Sequence, residues 1–352
     1  MFKQVFPAAL CIALAACQQK IPVETPSAVI DVPANAGEGG ALSGGPVRPA
    51  SPKADVLEGT DWPKAEVTSG QAFISCTADE SGQPGEALAN LEFFSVVDAL
   101  TPCKQSGTVR LRYQGKIGAD FTALVERVSN IAERMEIGER ILDLDSSGGH
   151  VEDAMKAGDA LGASHWTLWV REGANCHSAC VLILAAGDDR RIDGKVGIHR
   201  MIRIGSTATT RAELSQELRE VHAQMKDYLE RNGAAVAVAD LMMTVPNRKL
   251  RLLGEAELQE YGLDGTNAVQ DDLERIQLAR KCGEDFVRRK DDFARAFDRE
   301  CILPGEGPEA VDACGLELRS GFGFPDAKCP LESPLSKHDA EGERGIGQAG
   351  AE

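Results

Sequence analysis

Ser178 stands in the stretch GANCHSACVLILAAG, directly after His177 and between Cys176 and Cys180. Downstream, KVGIHR carries His199, twenty-one residues past the serine. Upstream, SSGG places Gly148 and Gly149 in a turn. These residue types suit acyl transfer. A serine hydroxyl is a weak nucleophile until a base takes its proton. Histidine does this near neutrality, where its unperturbed pKa lies. The tetrahedral oxyanion needs preorganised N–H donors, worth about 3–4 kcal/mol each in comparable sites. Glycines bring backbone N–H groups to a substrate with no side chain between.

Each residue also has a plain structural reading. Ser178 fits as a small residue of a buried helix, His199 as a strand-end histidine bonded to backbone, and Gly148–Gly149 as an ordinary turn. Neighbours on a helix point about 100° apart, so His177 reads as a rim or core residue and not as the base. Cys176 and Cys180 share a face if helical. A disulfide and a pair of buried thiols are both open there.

The elements that must position these residues begin at Thr108. TVRLRYQGKI reads as a strand, DFTALVERVSNIAERM as an amphipathic helix and RILDLD as a short strand. SSGG, the helix HVEDAMKAGDALG and the strand WTLWVRE follow, then ANCHSACVLILAAG as a helix and RRIDGKVGIHR as a strand pair. Arg211 to Arg231 forms a long polar helix, and AAVAVADLMM and GEAELQEYGL form shorter ones. Strands alternating with helices predict an α/β fold with a mostly parallel sheet and right-handed crossovers.

In this order, the Gly-Gly turn, the serine, the histidine and the closing GEAELQEYGLDG resemble the ClpP/crotonase superfamily. The likeness is nearest to an exported branch whose nucleophile motif reads CxSAC, and it covers about Val109 to Asp264. It implies Ser178 as nucleophile, His199 as general base, and backbone N–H groups of Gly148, Gly149 and Ala179 as oxyanion donors. A helix opening at Ser178 would add its N-terminal dipole. The family's aspartate would fall near Leu250, where TVPNRKLRLLG offers none. Asn247 is the nearest polar residue able to orient the imidazole, and Asp240 the nearest upstream carboxylate. A Ser-His dyad, a carboxylate borrowed from Asp145, a serine-lysine pair using Lys156 or Lys195, and an inactive scaffold all stay open.

The N-terminus supplies the context. MFKQVFPAALCIALAACQQK has one early lysine and an apolar run too short to span a bilayer. Leu14-Ala15-Ala16-Cys17 resembles a bacterial lipobox, implying acylation of Cys17 and an envelope protein held by lipid, at the outer membrane. Residues 1–16 read as the leader and 17–69, rich in Pro, Ala, Gly and Ser, as a disordered tether. The superfamily-like domain is set at 70–266, a helical cysteine-rich appendage at 267–330 and a disordered tail at 331–352.

Eight cysteines remain after Cys11 and Cys17: Cys76, Cys103, Cys176, Cys180, Cys282, Cys301, Cys314 and Cys329. An even number in an exported chain points to disulfides, grouped along the sequence. A net charge of −17 argues against a nucleic-acid partner. No CxxC knuckle, phosphate loop, dinucleotide fingerprint or HExxH motif occurs, so no metal or cofactor is expected. Outside the cytoplasm, an ATP-driven unfoldase partner and a coenzyme A substrate are both disfavoured. The expected substrate is a short peptide or an unfolded polypeptide, with oligomerisation left open.

Overall fold

A computed structural model describes residues 29–31, 42–43, 57–77, 83–203, 206–303, 307–336 and 338–339. The leader and Cys17 lie outside the described residues. Strands β1 (Val29–Asp31), β2 (Leu42–Ser43), β3 (Gly70–Ser75) and β4 (Glu86–Ala87) precede helix α1 (Phe93–Ser106). The alternating part follows as β5 (Thr108–Gly115), α2 (Ala119–Arg134), β6 (Glu139–Asp145), α3 (Val151–Gly162) and β7 (Thr167–Val170). It continues through β8 (Asn175–His177), α4 (Cys180–Ala185), β9 (Asp189–Ile192), β10 (Lys195–Ile198) and β11 (Ile202–Arg203). Beyond come α5 (Arg211–Arg231), α6 (Ala237–Thr244), β12 (Lys249–Leu252), α7 (Glu255–Glu260) and β13 (Gly265–Thr266). The C-terminal helices are α8 (Ala268–Cys282), α9 (Glu284–Phe297) and α10 (Pro308–Gly321).

The fold is mixed α/β with a parallel-rich sheet. Seven strands run in the order β13-β9-β7-β6-β5-β3-β4, and β5, β6, β7 and β9 are mutually parallel. The sequence accounts for the two faces. Period-2 alternation sends Val109, Leu111 and Tyr113 of β5 and Leu142 and Leu144 of β6 into the apolar core. There they meet Phe121, Leu124, Val125 and Val128, the buried stripe of α2.

Arg110, Arg112 and Asp143 leave from the other face. Asp143 is fully buried and accepts from Arg110 and Arg112 at 2.9 Å each and from Arg171 Nε at 2.7 Å. Burial pushes the Arg112 guanidinium below its ordinary range, and Asp143 opposes that shift. Arg110 also lies over the Trp169 ring, 4.8 Å from its centre.

A second sheet runs β1-β12-β10-β8, with β8 and β10 parallel. Here the expected β9–β10 strand pair is corrected. β9 joins β7 in the large sheet, whereas β10 joins β8 in the small one. The chain changes sheets at Asp193–Gly194, whose N–H groups both donate to Val170 O, at 2.8 and 2.9 Å. A side chain at position 194 would come within 2.4 Å of Arg171 O, so the crossing is sterically reserved for glycine.

The expected limits of order also shift. Trp62 is buried under Arg127, whose Nη2 donates to Pro63 O at 2.7 Å, so packing extends ahead of residue 70. Short strands also occur at β1 and β2. At the other end Ser333 is buried and Lys281 meets Glu332 at 2.5 Å, so part of the stretch read as a tail is packed.

The eight cysteines form four disulfides: Cys76–Cys103, Cys176–Cys180, Cys282–Cys329 and Cys301–Cys314. The Cys282–Cys329 link joins a separate apolar cluster of Phe286, Phe293 and Phe324. No described helix is long and apolar enough to cross a membrane.

Candidate active site

The stretch expected as one helix, ANCHSACVLILAAG, is a strand, a sharp turn and a six-residue helix. β8 ends at His177, and α4 starts at Cys180. Between them Ser178 adopts φ 61°. A non-glycine residue in the left-handed region costs on the order of 1–3 kcal/mol and persists only where its surroundings enforce it. They do so here. Ser178 N–H donates to Gly197 O at 2.8 Å, on the neighbouring strand. The Cys176–Cys180 disulfide closes the turn, with Cα atoms 5.2 Å apart. That settles the open choice for these two cysteines, because a strand end and a helix start bring them closer than two positions on one helix.

α4 is anchored from behind. All six of its residues are buried. Tyr228 Oη donates to Leu182 O at 2.7 Å, and a side chain on Gly158 would collide with that hydroxyl at 1.8 Å. Arg190 donates to Leu184 O and Ala185 O at 2.9 and 2.8 Å, closing the helix C-terminus. Burial pushes the Arg190 pKa down to about 10. At six residues, α4 brings little macrodipole to the serine.

The glycine turn lies directly against the serine. A Cβ on Gly148 would sit 2.6 Å from Ser178 Cβ and 3.1 Å from Ser178 Oγ, and the backbone there has φ 100°. A Cβ on Gly149 would meet Ile117 O at 2.0 Å. The turn bridges two elements: Ile117 N donates to Gly148 O at 2.9 Å, and His177 N donates to Ser146 O at 3.0 Å. Gly148 N–H donates to Ser146 Oγ at 3.1 Å, so this expected oxyanion donor is engaged within its own turn. Ser146 was not singled out in the sequence, although its place at the head of SSGG was the available signal.

His199 follows β10, the parallel neighbour of β8, with His177 paired to Gly197. The topology therefore brings the serine and the histidine to the same end of adjacent strands. His199 is buried, and its Nδ1 lies 3.2 Å from Arg200 O. A carbonyl only accepts, so Nδ1 is the donor in this contact. The arrangement is not closed. Ser178 is fully buried, and its Oγ has no hydrogen-bond partner among the described residues.

Asn247, the expected orienting group, is exposed on the turn before β12, and a backbone carbonyl, Arg200 O, lies at Nδ1 of the imidazole. The other carboxylates are engaged elsewhere. Asp240 binds His222 Nε2 at 2.9 Å and Lys226 Nζ at 2.8 Å. Asp145 accepts from Asn175 N at 3.0 Å and from Gln114 Nε2 at 3.1 Å. Lys156 and Lys195, the candidates for a serine-lysine pair, are both exposed.

A cavity of about 620 Å³ opens beside Gly149, lined by Ser69, Lys116, Ile117, Asp120, His150 and Asp153. Burial raises the carboxyl pKa of Asp153, and Lys156 and His150 oppose that shift. Outside this constellation, donor atoms of His165, Asp188 and Glu274 lie within 4.8 Å of one another. His165 Nδ1 lies 2.8 Å from Asp188 Oδ2, and Gln270 Nε2 bridges His165 Nδ1 and Glu274 at 3.3 and 2.9 Å, so these contacts account for the approach.

No family model matches the sequence, and no curated protein does. Solved structures that match include two of the 1510-N membrane-bound stomatin-specific protease. One is a serine-to-alanine mutant, 19% identical, with a TM-score of 0.36, covering 46% of this chain and 81% of that one. The other is a lysine-to-alanine mutant in complex with a substrate peptide, 18% identical, with a TM-score of 0.36, covering 46% of this chain and 76% of that one. Likeness at this level transfers no site residue to this chain.

Proposed function

We propose that the chain is a ClpP/crotonase-like serine hydrolase that cleaves peptide bonds in unfolded polypeptides through an acyl-enzyme on Ser178. The observation that carries this reading is the backbone of Ser178. It is held in the left-handed region at a disulfide-closed strand-to-helix turn, against Gly148 and at the strand end that leads to His199. Strain concentrated at a serine, against a glycine turn and on the strand next to the one that leads to a histidine, suits a nucleophile.

In this reading His199 Nε2 takes the hydroxyl proton as Oγ attacks the carbonyl carbon. The same proton passes to the leaving amine, and water repeats the sequence to release the acyl group. Backbone N–H groups of Gly149 and Ala179 serve the oxyanion, since that of Gly148 is engaged. Ser178 Oγ is buried, so a local rearrangement that uncovers it precedes attack in this reading.

A second reading has its own support. The serine is sealed and makes no bond to an imidazole, which also suits a catalytically silent scaffold. Digestion of unfolded casein decides between them. Wild-type protein is expected to generate casein fragments and Ser178→Ala none, whereas a scaffold cleaves in neither form.

The envelope location belongs to the same proposal and rests on the Leu14-Ala15-Ala16-Cys17 signature. Cys17→Ser is expected to release the protein from membranes and abolish acylation. A wild-type chain without lipid, and a variant still fractionating with membranes, would overturn the anchor.

A further inference from the structure

The turn that carries Ser178 holds a second orphaned polar atom. His177 Nε2 is buried and has no hydrogen-bond partner among the described residues. An unpaired buried group costs about 1–3 kcal/mol, so one kept in a fold calls for a role.

Its placement is fixed by the strand. Alternation along β8 sends Cys176 into its disulfide, so His177 leaves from the opposite side. His177 N–H is bonded to Ser146 O at 3.0 Å, and its Cα pairs with Gly197. The ring rests over Gly197, where a Cβ would come 3.1 Å from His177 Cδ2. Gly197 thus leaves the room that the imidazole occupies.

The charged form of the ring is also disfavoured. Burial, and then the field of His199, push its pKa down to about 4, against an opposing pull from Asp145. A neutral imidazole presents one donor and one acceptor, the pair that a peptide backbone complements.

Resting on the peptidase reading of Ser178, we infer that His177 is a substrate-binding residue whose Nε2 hydrogen-bonds the backbone of the polypeptide held across the serine. The base remains His199. His177 sits one residue before the nucleophile on a rigid strand, so its contact sets where the scissile bond lies relative to Oγ.

The test measures binding apart from chemistry. Fluorescein-labelled unfolded casein is titrated into Ser178→Ala and into the double variants Ser178→Ala/His177→Phe and Ser178→Ala/His177→Gln. Fluorescence anisotropy reads the affinity, and circular dichroism confirms folding. The phenylalanine variant is expected to bind about tenfold more weakly, the loss of one substrate hydrogen bond. Glutamine, whose amide again offers a donor and an acceptor, is expected to recover most of that loss. In the otherwise wild-type chain, His177→Phe is expected to raise KM more than it lowers kcat. Equal affinity of Ser178→Ala and Ser178→Ala/His177→Phe would overturn the inference while leaving the peptidase reading standing. Failure of Ser178→Ala to bind casein at all would overturn both.

Discussion

Ser178→Ala is expected to abolish labelling by a fluorophosphonate probe, and His199→Ala to lower the labelling rate by about 10²–10⁴-fold. The probe needs only an activated serine, so the result does not depend on knowing the substrate. The magnitude for His199 is that of a general base lost from an otherwise intact site. Gly148→Ala is expected to abolish labelling too, since its Cβ would fall 2.6 Å from Ser178 Cβ at a backbone with φ 100°. Asn247→Ala is expected to label like wild type, because its side chain is exposed and Arg200 O lies at Nδ1 of the imidazole.

Stability separates loss of function from loss of fold. Ser178 Oγ is buried without a partner, so removing it takes away a desolvated hydroxyl and leaves almost no cavity. Ser178→Ala is therefore expected to melt no lower than wild type. Equal labelling of wild type and Ser178→Ala would sink the nucleophile reading and leave the scaffold ahead.

Asp143→Ala is expected to destabilise the chain by about 3–5 kcal/mol, read as a lowered urea midpoint. The carboxylate is fully buried and answers three guanidiniums, of which Arg110 and Arg112 are themselves buried. Taking it away leaves two cations inside the protein with their principal counter-charge gone, which costs far more than the net worth of the ion pairs. Arg171→Ala is expected to cost much less, because that side chain is partly exposed and its loss leaves Asp143 with two partners. An Asp143→Ala midpoint equal to wild type would show that water reaches this face of the sheet and screens it.

Local pattern made much of this molecule legible. Arg211 to Arg231 is helix α5 with the limits read from sequence, and its start is a capping box in which Glu213 N donates to Thr210 Oγ1 at 3.2 Å. The helical stripe of α2 announced its buried face; the polar side chains of β5 gave no sign that its other face is buried too. The order of glycine turn, serine and histidine was likewise visible, because chain order is a property of sequence alone.

Other features were not legible, and the reason is the same in each case. The apolar run from Val181 to Ala186 continues smoothly from Asn175 when read by period, so the segment looks like one helix. What breaks it is Gly197, whose carbonyl takes the Ser178 N–H, and Val196, which pairs with Cys176. Those partners come from a strand about twenty residues away. Likewise, DRRIDGKV reads as a hairpin until β7 and β8 compete for its two halves.

The imidazole shows the same division. Sequence could rank Asn247 and Asp240 by chain distance, but a backbone carbonyl carries no sequence signal, and one of those lies at His199 Nδ1. Side-chain periodicity is written locally and determines which elements form and which faces they bury. Hydrogen-bond partners between strands are chosen by long-range packing, and that choice alone turned a serine between two cysteines into a strained, buried hydroxyl beside a glycine turn.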